Sequence, residues 1–290
     1  MSTPLRFSPF LQLKAGQDKP AIFIAHGLSG TVQVSELAKH IQTERPVYGI
    51  QAKGLDGKED PFDSVEDMAG FYLNTLHEID PQDPYILIGY SFGGLVALEM
   101  AQRLLENGKG VALLVMLDAY PHPRFMPAAL RARLLARRTR IHARHMFDLS
   151  LPEAFTYFTN GVKHRLQVAK ALNTSEGSAA DRGETSSLSS EWAALRRVSE
   201  RAYAAYANYR PRFYPGKINF VTTAEKTFFP GDPREVWTDL SKEIAVEVVP
   251  GNHLNIVTTE FETLASVLTR YVRAVPAVPV NELRVDELRR

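Results

Sequence analysis

Apolar residues in this chain follow two alternating patterns. Ala21-Ile22-Phe23-Ile24-Ala25, Tyr85-Ile86-Leu87-Ile88 and Val111-Ala112-Leu113-Leu114-Val115-Met116-Leu117 are continuous apolar runs. Short runs of this kind predict strands buried on both faces. Residues 5–13 and 46–50 predict further strands, and Gly16-Gln17-Asp18-Lys19-Pro20 predicts a turn. Between the runs lie stretches of helical spacing. One covers residues 34–41. A longer one carries Val65, Met68, Ala69, Tyr72, Leu76 and Ile79, with Ser64 and Asp67 forming a capping box at its start. Strands alternating with helices predict an α/β fold, a mostly parallel sheet with helices on both faces.

The alternation stops at Tyr120. Residues 127–147, 151–172 and 190–209 read as helices with no strand between them. The Ser/Gly/Thr/Asp-rich stretch 173–190 reads as a mobile connection. Strands resume at 217–222 and 244–249. Phe261, Leu264, Ala265, Leu268 and Val272 then mark a last helix. The expected organisation is a core built from 1–119 and 210–274, a helical insertion over the sheet at 120–209, and a loose C-terminal tail at 275–290.

Composition narrows the function. The 290 residues, 44% hydrophobic, suit one large domain with an insertion. A net charge of +1 argues against a general nucleic-acid or membrane-surface role. The chain has no cysteine, which excludes disulfides, thiolate metal sites and a cysteine nucleophile. That suits the cytosol. Residues 1–14 lack a signal pattern, and no apolar run approaches the ~20 residues of a membrane span. The expected location is cytoplasmic, without stable membrane association.

The chemistry is written after the strand at 85–88. Gly89-Tyr90-Ser91-Phe92-Gly93 spells G-x-S-x-G between a predicted strand and a predicted helix. A sharp turn there lifts Ser91 clear of the sheet in a strained conformation. Glycines flank it because side chains would collide with the neighbouring elements. The following helix points unpaired N–H groups at the reacting carbonyl.

A serine hydroxyl needs a base, and the base needs a carboxylate to fix its tautomer. Asp118 ends the strand at 111–117, and His253 follows the strand at 244–249 in Pro250-Gly251-Asn252-His253. Working residues gather at the carboxyl ends of parallel strands. Ser91, Asp118 and His253 meet that demand in the order used by α/β-hydrolases. Glu225 and Asp232, after the next strand along, are alternative acids. Of the eight histidines, His40, His77, His142, His145 and His164 fall in predicted helices, His26 ends a strand, and His122 is the reserve base. The Gly-rich turn His26-Gly27-Leu28-Ser29-Gly30 offers backbone donors for an oxyanion. The N–H groups of Leu28 and Phe92 are the expected pair.

These residues resemble the thioesterase domains of non-ribosomal peptide and polyketide synthases, within the α/β-hydrolase superfamily. The resemblance runs from about residue 5 to 272. It rests on His26-Gly27-Leu28-Ser29-Gly30, Gly89-Tyr90-Ser91-Phe92-Gly93-Gly94, Leu117-Asp118 with Pro121, Tyr209-Arg210-Pro211-Arg212-Phe213-Tyr214-Pro215-Gly216-Lys217-Ile218, and Pro250-Gly251-Asn252-His253. It implies an α/β-hydrolase fold with a helical lid at 120–209, and an acid after the strand that follows the nucleophile helix, as Asp118 does.

The implied activity is that of a serine hydrolase. It would release an acyl or peptidyl chain from phosphopantetheine, on an acyl or peptidyl carrier protein or coenzyme A, by hydrolysis or cyclisation. No metal or redox cofactor is implied. The chain carries no upstream module, which implies a free-standing or an excised domain. A carboxylesterase or lipase-type ester hydrolase is the competing reading, and a silent hydrolase-fold binding module is a third. Arg131, Arg133, Arg137, Arg138, Arg140 and Arg144 form a basic run in the lid, read as a solvated face or a docking site for an acidic carrier protein. Phe125, Met126, Phe155, Tyr157 and Phe158 are read as lid core, or as lining for an acyl channel.

Overall fold

The computed structural model describes residues 8–28, 32–80, 83–147, 187–225, 231–276 and 278–279. In chain order the elements are β1 (Phe10–Lys14), β2 (Asp18–Lys19), β3 (Ile22–Ala25), α1 (Val32–His40), β4 (Val47–Ile50), α2 (Val65–Ile79), β5 (Tyr85–Tyr90) and α3 (Phe92–Glu106). There follow β6 (Val111–Leu117), α4 (Ala128–Phe147), α5 (Ser187–Asn208), β7 (Tyr214–Thr223), α6 (Arg234–Trp237), β8 (Ser241–Val249), α7 (Phe261–Arg273) and β9 (Val278–Pro279). Seven strands form one sheet in the order β1-β4-β3-β5-β6-β7-β8. All neighbours run parallel except β1 against β4.

The continuous apolar runs divide between two cores. Ile22 and Ile24 of β3, with Leu113, Val115 and Leu117 of β6, join residues of α1 and α7. Phe23 and Ala25, with Leu114 and Met116, join α2 and α3 on the other face. Strands with both faces covered show no polar alternation. β8 is one edge of the sheet, opposite β1, and its Val248 is 61% exposed.

The register positions the site. β5 lies between β3 and β6, with Ala25 paired to Gly89 and Tyr90 to Leu117. Leu117 in turn pairs with Val221 of β7. The turns after these strands therefore open side by side at one edge.

Between β6 and β7 the described residues hold α4 and α5. Ala194, Val198, Ala202 and Ala205 are the buried stripe of α5, at helical spacing. Beyond its end, the stretch from Tyr209 to Arg212 grips the nucleophile helix. Tyr209 donates its hydroxyl to Glu99 at 3.0 Å, and Arg212 reaches the same carboxylate at 3.2 Å. Glu99 is only 2% exposed, and its buried charge is met by Tyr209 and by Arg212 and Arg103, whose guanidinium groups reach in from the surface.

Several boundaries differ from expectation. The start of α2 does not: Ser64 caps it as expected, accepting the Asp67 N–H at 3.1 Å, and its hydroxyl donates to Glu66. The predicted first strand begins at Phe10, and residues 5–7 lie outside the described residues. Residues 187–190 open α5 instead of closing a mobile connection. The predicted helix 151–172, the rest of that connection, and Phe155, Tyr157, Phe158 and His164 lie outside the described residues.

The tail predicted to be loose from 275 is corrected at its start. The Val275 carbonyl accepts from Arg45 at 2.6 Å, and Val278–Pro279 pairs antiparallel with Asp18–Lys19. Residues 280–290 lie outside the described residues. The same pairing puts a short strand inside the predicted turn at 16–20. No single-segment pattern announces a two-residue ladder whose halves lie so far apart in the chain.

Candidate active site

Ser91 stands between β5 and α3 with φ 53° and ψ −121°, in the left-handed region that a non-glycine residue rarely adopts. Such strain costs of order 1–3 kcal/mol and persists only where the surroundings hold it. Here they do. The Ser91 N–H donates to the Leu117 carbonyl at 2.9 Å, and the Ser91 carbonyl accepts from Gly94 at 3.0 Å. Two glycines permit the crossing. A Cβ on Gly89 would lie 2.3 Å from the Gly93 carbonyl oxygen, and one on Gly93 would lie 2.3 Å from that of His26. Ser91 is the N-cap of α3, yet its side chain makes no capping bond.

The hydroxyl is directed at His253 instead. Ser91 Oγ lies 2.9 Å from His253 Nε2, and His253 Nδ1 lies 2.8 Å from Asp118 Oδ2. A carboxylate on Nδ1 keeps the proton there, so Nε2 is the acceptor that faces the serine hydroxyl. Asp118 is 1% exposed and has φ 46°. Its N–H donates to the Val221 carbonyl at 2.7 Å, and its second oxygen, Oδ1, accepts from the Thr222 hydroxyl at 2.9 Å. Tyr120 lies 3.3 Å beyond Thr222, its phenol pushed up by burial and by Asp118. Both oxygens of the buried carboxylate are thereby engaged. The turn after Asp118 is pinned as well, since Trp237 of α6 donates to the Ala119 carbonyl at 3.2 Å.

The His253 turn is built by asparagines. Asn252 accepts the N–H groups of Leu254 at 3.0 Å and Asn255 at 3.2 Å, while the Asn255 side chain accepts from Asn252 at 2.6 Å. Gly251 sits at φ 88°, where a Cβ would lie 2.4 Å from Asn255 Oδ1.

The other candidate acids and bases lie elsewhere. Asp232 is bound to Arg234, and the Glu225 carboxylate meets Asn252 at 3.5 Å. His122 caps the turn at Arg124 and packs edge-on against Tyr206. His26 is buried with Nδ1 on the Gly27 carbonyl, and burial pushes its pKa down. His40 bonds the Glu36 carbonyl, and His77 meets Tyr85. The side chains of His142 and His145 lie outside the described residues.

The turn after β3 passes beside the nucleophile: a Cβ on Gly27 would lie 3.7 Å from Ser91 Cβ. Its next residue, Leu28, has its carbonyl held by the Ser199 hydroxyl of α5 at 3.3 Å. Phe92 is the first residue of α3, where N–H groups lack intrahelical partners. Ser29 and Gly30 lie outside the described residues. An apolar cavity lies behind this turn, lined by residues including His26, Met68, Tyr72, Phe92, Val198 and Ala202.

Two residues that the sequence did not single out complete the arrangement. Thr222 could have been found only once β7 was known to neighbour β6. Tyr90, inside the motif, contacts His253 from across 163 positions of chain.

Residues 20–271 match the family model described as "Thioesterase domain". The chain belongs to the thioesterase-domain family, and its fold is the α/β-hydrolase fold. This thioesterase domain is 40% identical over 118 residues to a dimodular nonribosomal peptide synthase of Bacillus subtilis (strain 168). That match covers 40% of the chain and only 5% of the relative's length. Among solved structures, a four-domain nonribosomal peptide synthetase is 24% identical with a TM-score of 0.63, over 91% of this chain and 20% of that one. The NocB thioesterase domain, in covalent complex with a fluorophosphonate nocardicin G analog, is 21% identical with a TM-score of 0.57, over 90% and 96%. At those identities the solved structures speak for the fold of the thioesterase domain. No helix among its described residues is long and apolar enough to cross a membrane.

Proposed function

We propose that this thioesterase domain releases an acyl or peptidyl chain from a phosphopantetheine thioester, through an acyl-enzyme on Ser91. The observation that carries the reading is the hydrogen-bonded line from Ser91 Oγ through His253 to the buried Asp118. In this scheme Ser91 Oγ attacks the thioester carbonyl while His253 Nε2 takes its proton. The oxyanion that forms rests on the N–H groups of Leu28 and Phe92, each worth about a hundred- to a thousandfold in rate. The C–S bond then breaks, and the departing thiolate takes the proton from His253.

A second nucleophile completes the cycle. Water, or a hydroxyl or amine of the acyl chain itself, gives its proton to His253 and attacks the Ser91 ester; the bond between the acyl carbon and Oγ breaks, His253 returns the proton to Oγ, and the chain leaves as an acid or a ring. A thiolate is a better leaving group than an amide nitrogen, so the demand on general-acid help is small. The scheme uses no metal or redox cofactor. The thioester would be presented by an acyl or peptidyl carrier protein or by coenzyme A. Relatives that are multimodular peptide synthases support the carrier-bound form. Helices α4 and α5 would serve as part of a lid over the acyl chain.

Comparing kcat/KM for acyl-pantetheine thioesters with that for p-nitrophenyl esters of the same acids tests this reading. Preference for the thioesters is expected. A strong preference for the oxygen esters would favour a carboxylesterase instead.

A further inference from the structure

We propose that Tyr90 is a positioning residue that holds the base loop and the oxyanion turn in register around Ser91. The proposal rests on the reading of His253 as the base.

Tyr90 is the last residue of β5, one position before the nucleophile, and is 3% exposed. Its hydroxyl donates to the His253 carbonyl at 2.6 Å. Its ring lies nearly parallel to the imidazole, with centroids 5.3 Å apart at 27°. On another side the ring meets the turn after β3, where a Cβ on Gly27 would lie 3.2 Å from Tyr90 ring carbons. The ring is seated in the core under α1 and α7, together with Ile256 and Val257 just beyond His253. One rigid side chain therefore touches the base, the carbonyl of the base's own residue, and the turn offered as oxyanion donor.

The chemistry favours tyrosine here over phenylalanine. A buried hydroxyl is unfavourable unless it is hydrogen-bonded. This one has a partner on a loop that regular secondary structure does not hold. Burial and Asp118 push the Tyr90 phenol up to about 12, so it remains a donor at neutral pH. Its ring distance and face-on angle restrict imidazole tilt, which the Asp118 bond alone does not, since a hydrogen bond is a hinge. Small displacements of a base from its nucleophile are expensive in rate.

The test compares Tyr90→Phe, Tyr90→Leu and His253→Ala with the parent on an acyl-pantetheine thioester. It also records the low-field NMR resonance of the His253 Nδ1 proton shared with Asp118. Tyr90→Phe keeps the ring and the packing. It is expected to lower kcat about tenfold, with KM within about twofold, and to broaden that resonance. Tyr90→Leu is expected to lose more; should it fail to fold, Tyr90→Phe decides. Parent-like kcat and an unchanged resonance in Tyr90→Phe would overturn the proposal, as would a raised KM at constant kcat. His253→Ala with parent-like turnover would instead overturn the base assignment itself.

Discussion

Thr222 donates its hydroxyl to Asp118 at 2.9 Å, on the carboxylate oxygen that His253 does not use. Asp118 follows the end of β6 and Thr222 lies on the neighbouring β7, each next to the paired Leu117 and Val221. The bond fixes the carboxylate plane, and with it the direction from which Oδ2 meets His253 Nδ1.

Removing this donor is expected to lower kcat without dissolving the site. Thr222→Val should reduce kcat about tenfold, because a buried oxygen loses a partner. Asp118→Asn should reduce it about ten-thousandfold, since the wrong tautomer is then favoured. Asp232→Asn should leave turnover close to the parent, its carboxylate being bound to Arg234. Steady-state kinetics of the three variants checks this ranking. A larger loss in Asp232→Asn would transfer the acid to the later strand.

The nucleophile helix leaves no room at its first turn. A Cβ on Gly94 would lie 2.3 Å from the Cβ of Ala119, the residue after Asp118. Gly94→Ala is expected to destabilise the fold by about 1–3 kcal/mol and to depress activity by displacing the acid. Gly94→Ala with Ala119→Gly should recover most of both. Urea midpoints and kcat, measured side by side, would show it.

Acid should weaken the fold through His26. Burial depresses its pKa below the ordinary 6.5, against a smaller opposing effect of the Gly27 carbonyl. Below about pH 6.5 the unfolded chain binds a proton that the folded chain refuses, so stability falls with falling pH until the folded value is passed. His122 is depressed in the same direction. His26→Gln should therefore lose less stability than the parent between about pH 7.5 and about pH 5.5. Equal losses in urea titrations would remove His26 from this account.

Much of the frame was legible in the chain because central strands, covered on both faces, must be apolar without interruption. The bounds of β6 were legible to the residue and those of β5 to within two, and the residues after them followed. Ser91 was readable from its flanking glycines, whose absent Cβ atoms answer to specific close approaches. Asp118 was harder: strand-end position admitted it, but Glu225 and Asp232 also follow a strand. The resemblance favoured Asp118, and the geometry brings that residue to His253. Thr222 and Tyr90 were not legible. Each acts on a partner more than a hundred positions away, and nothing local distinguishes a threonine in a buried strand from one with a carboxylate beside it. β2 and β9 escaped for the same reason. The oxyanion turn was visible as a glycine cluster, whereas its tie to Ser199 depends on how α5 settles on the core.

The central claim is that one hydroxyl, on Ser91, carries the acyl group. Intact-mass spectrometry after brief incubation with a panel of acyl-pantetheine thioesters, followed by peptide mapping, tests it most directly. The account predicts a single added acyl mass on the peptide containing Ser91, absent from Ser91→Ala and strongly slowed in His253→Ala. An adduct that persists in Ser91→Ala, or turnover of the thioesters by that variant at the parent rate, would contradict it.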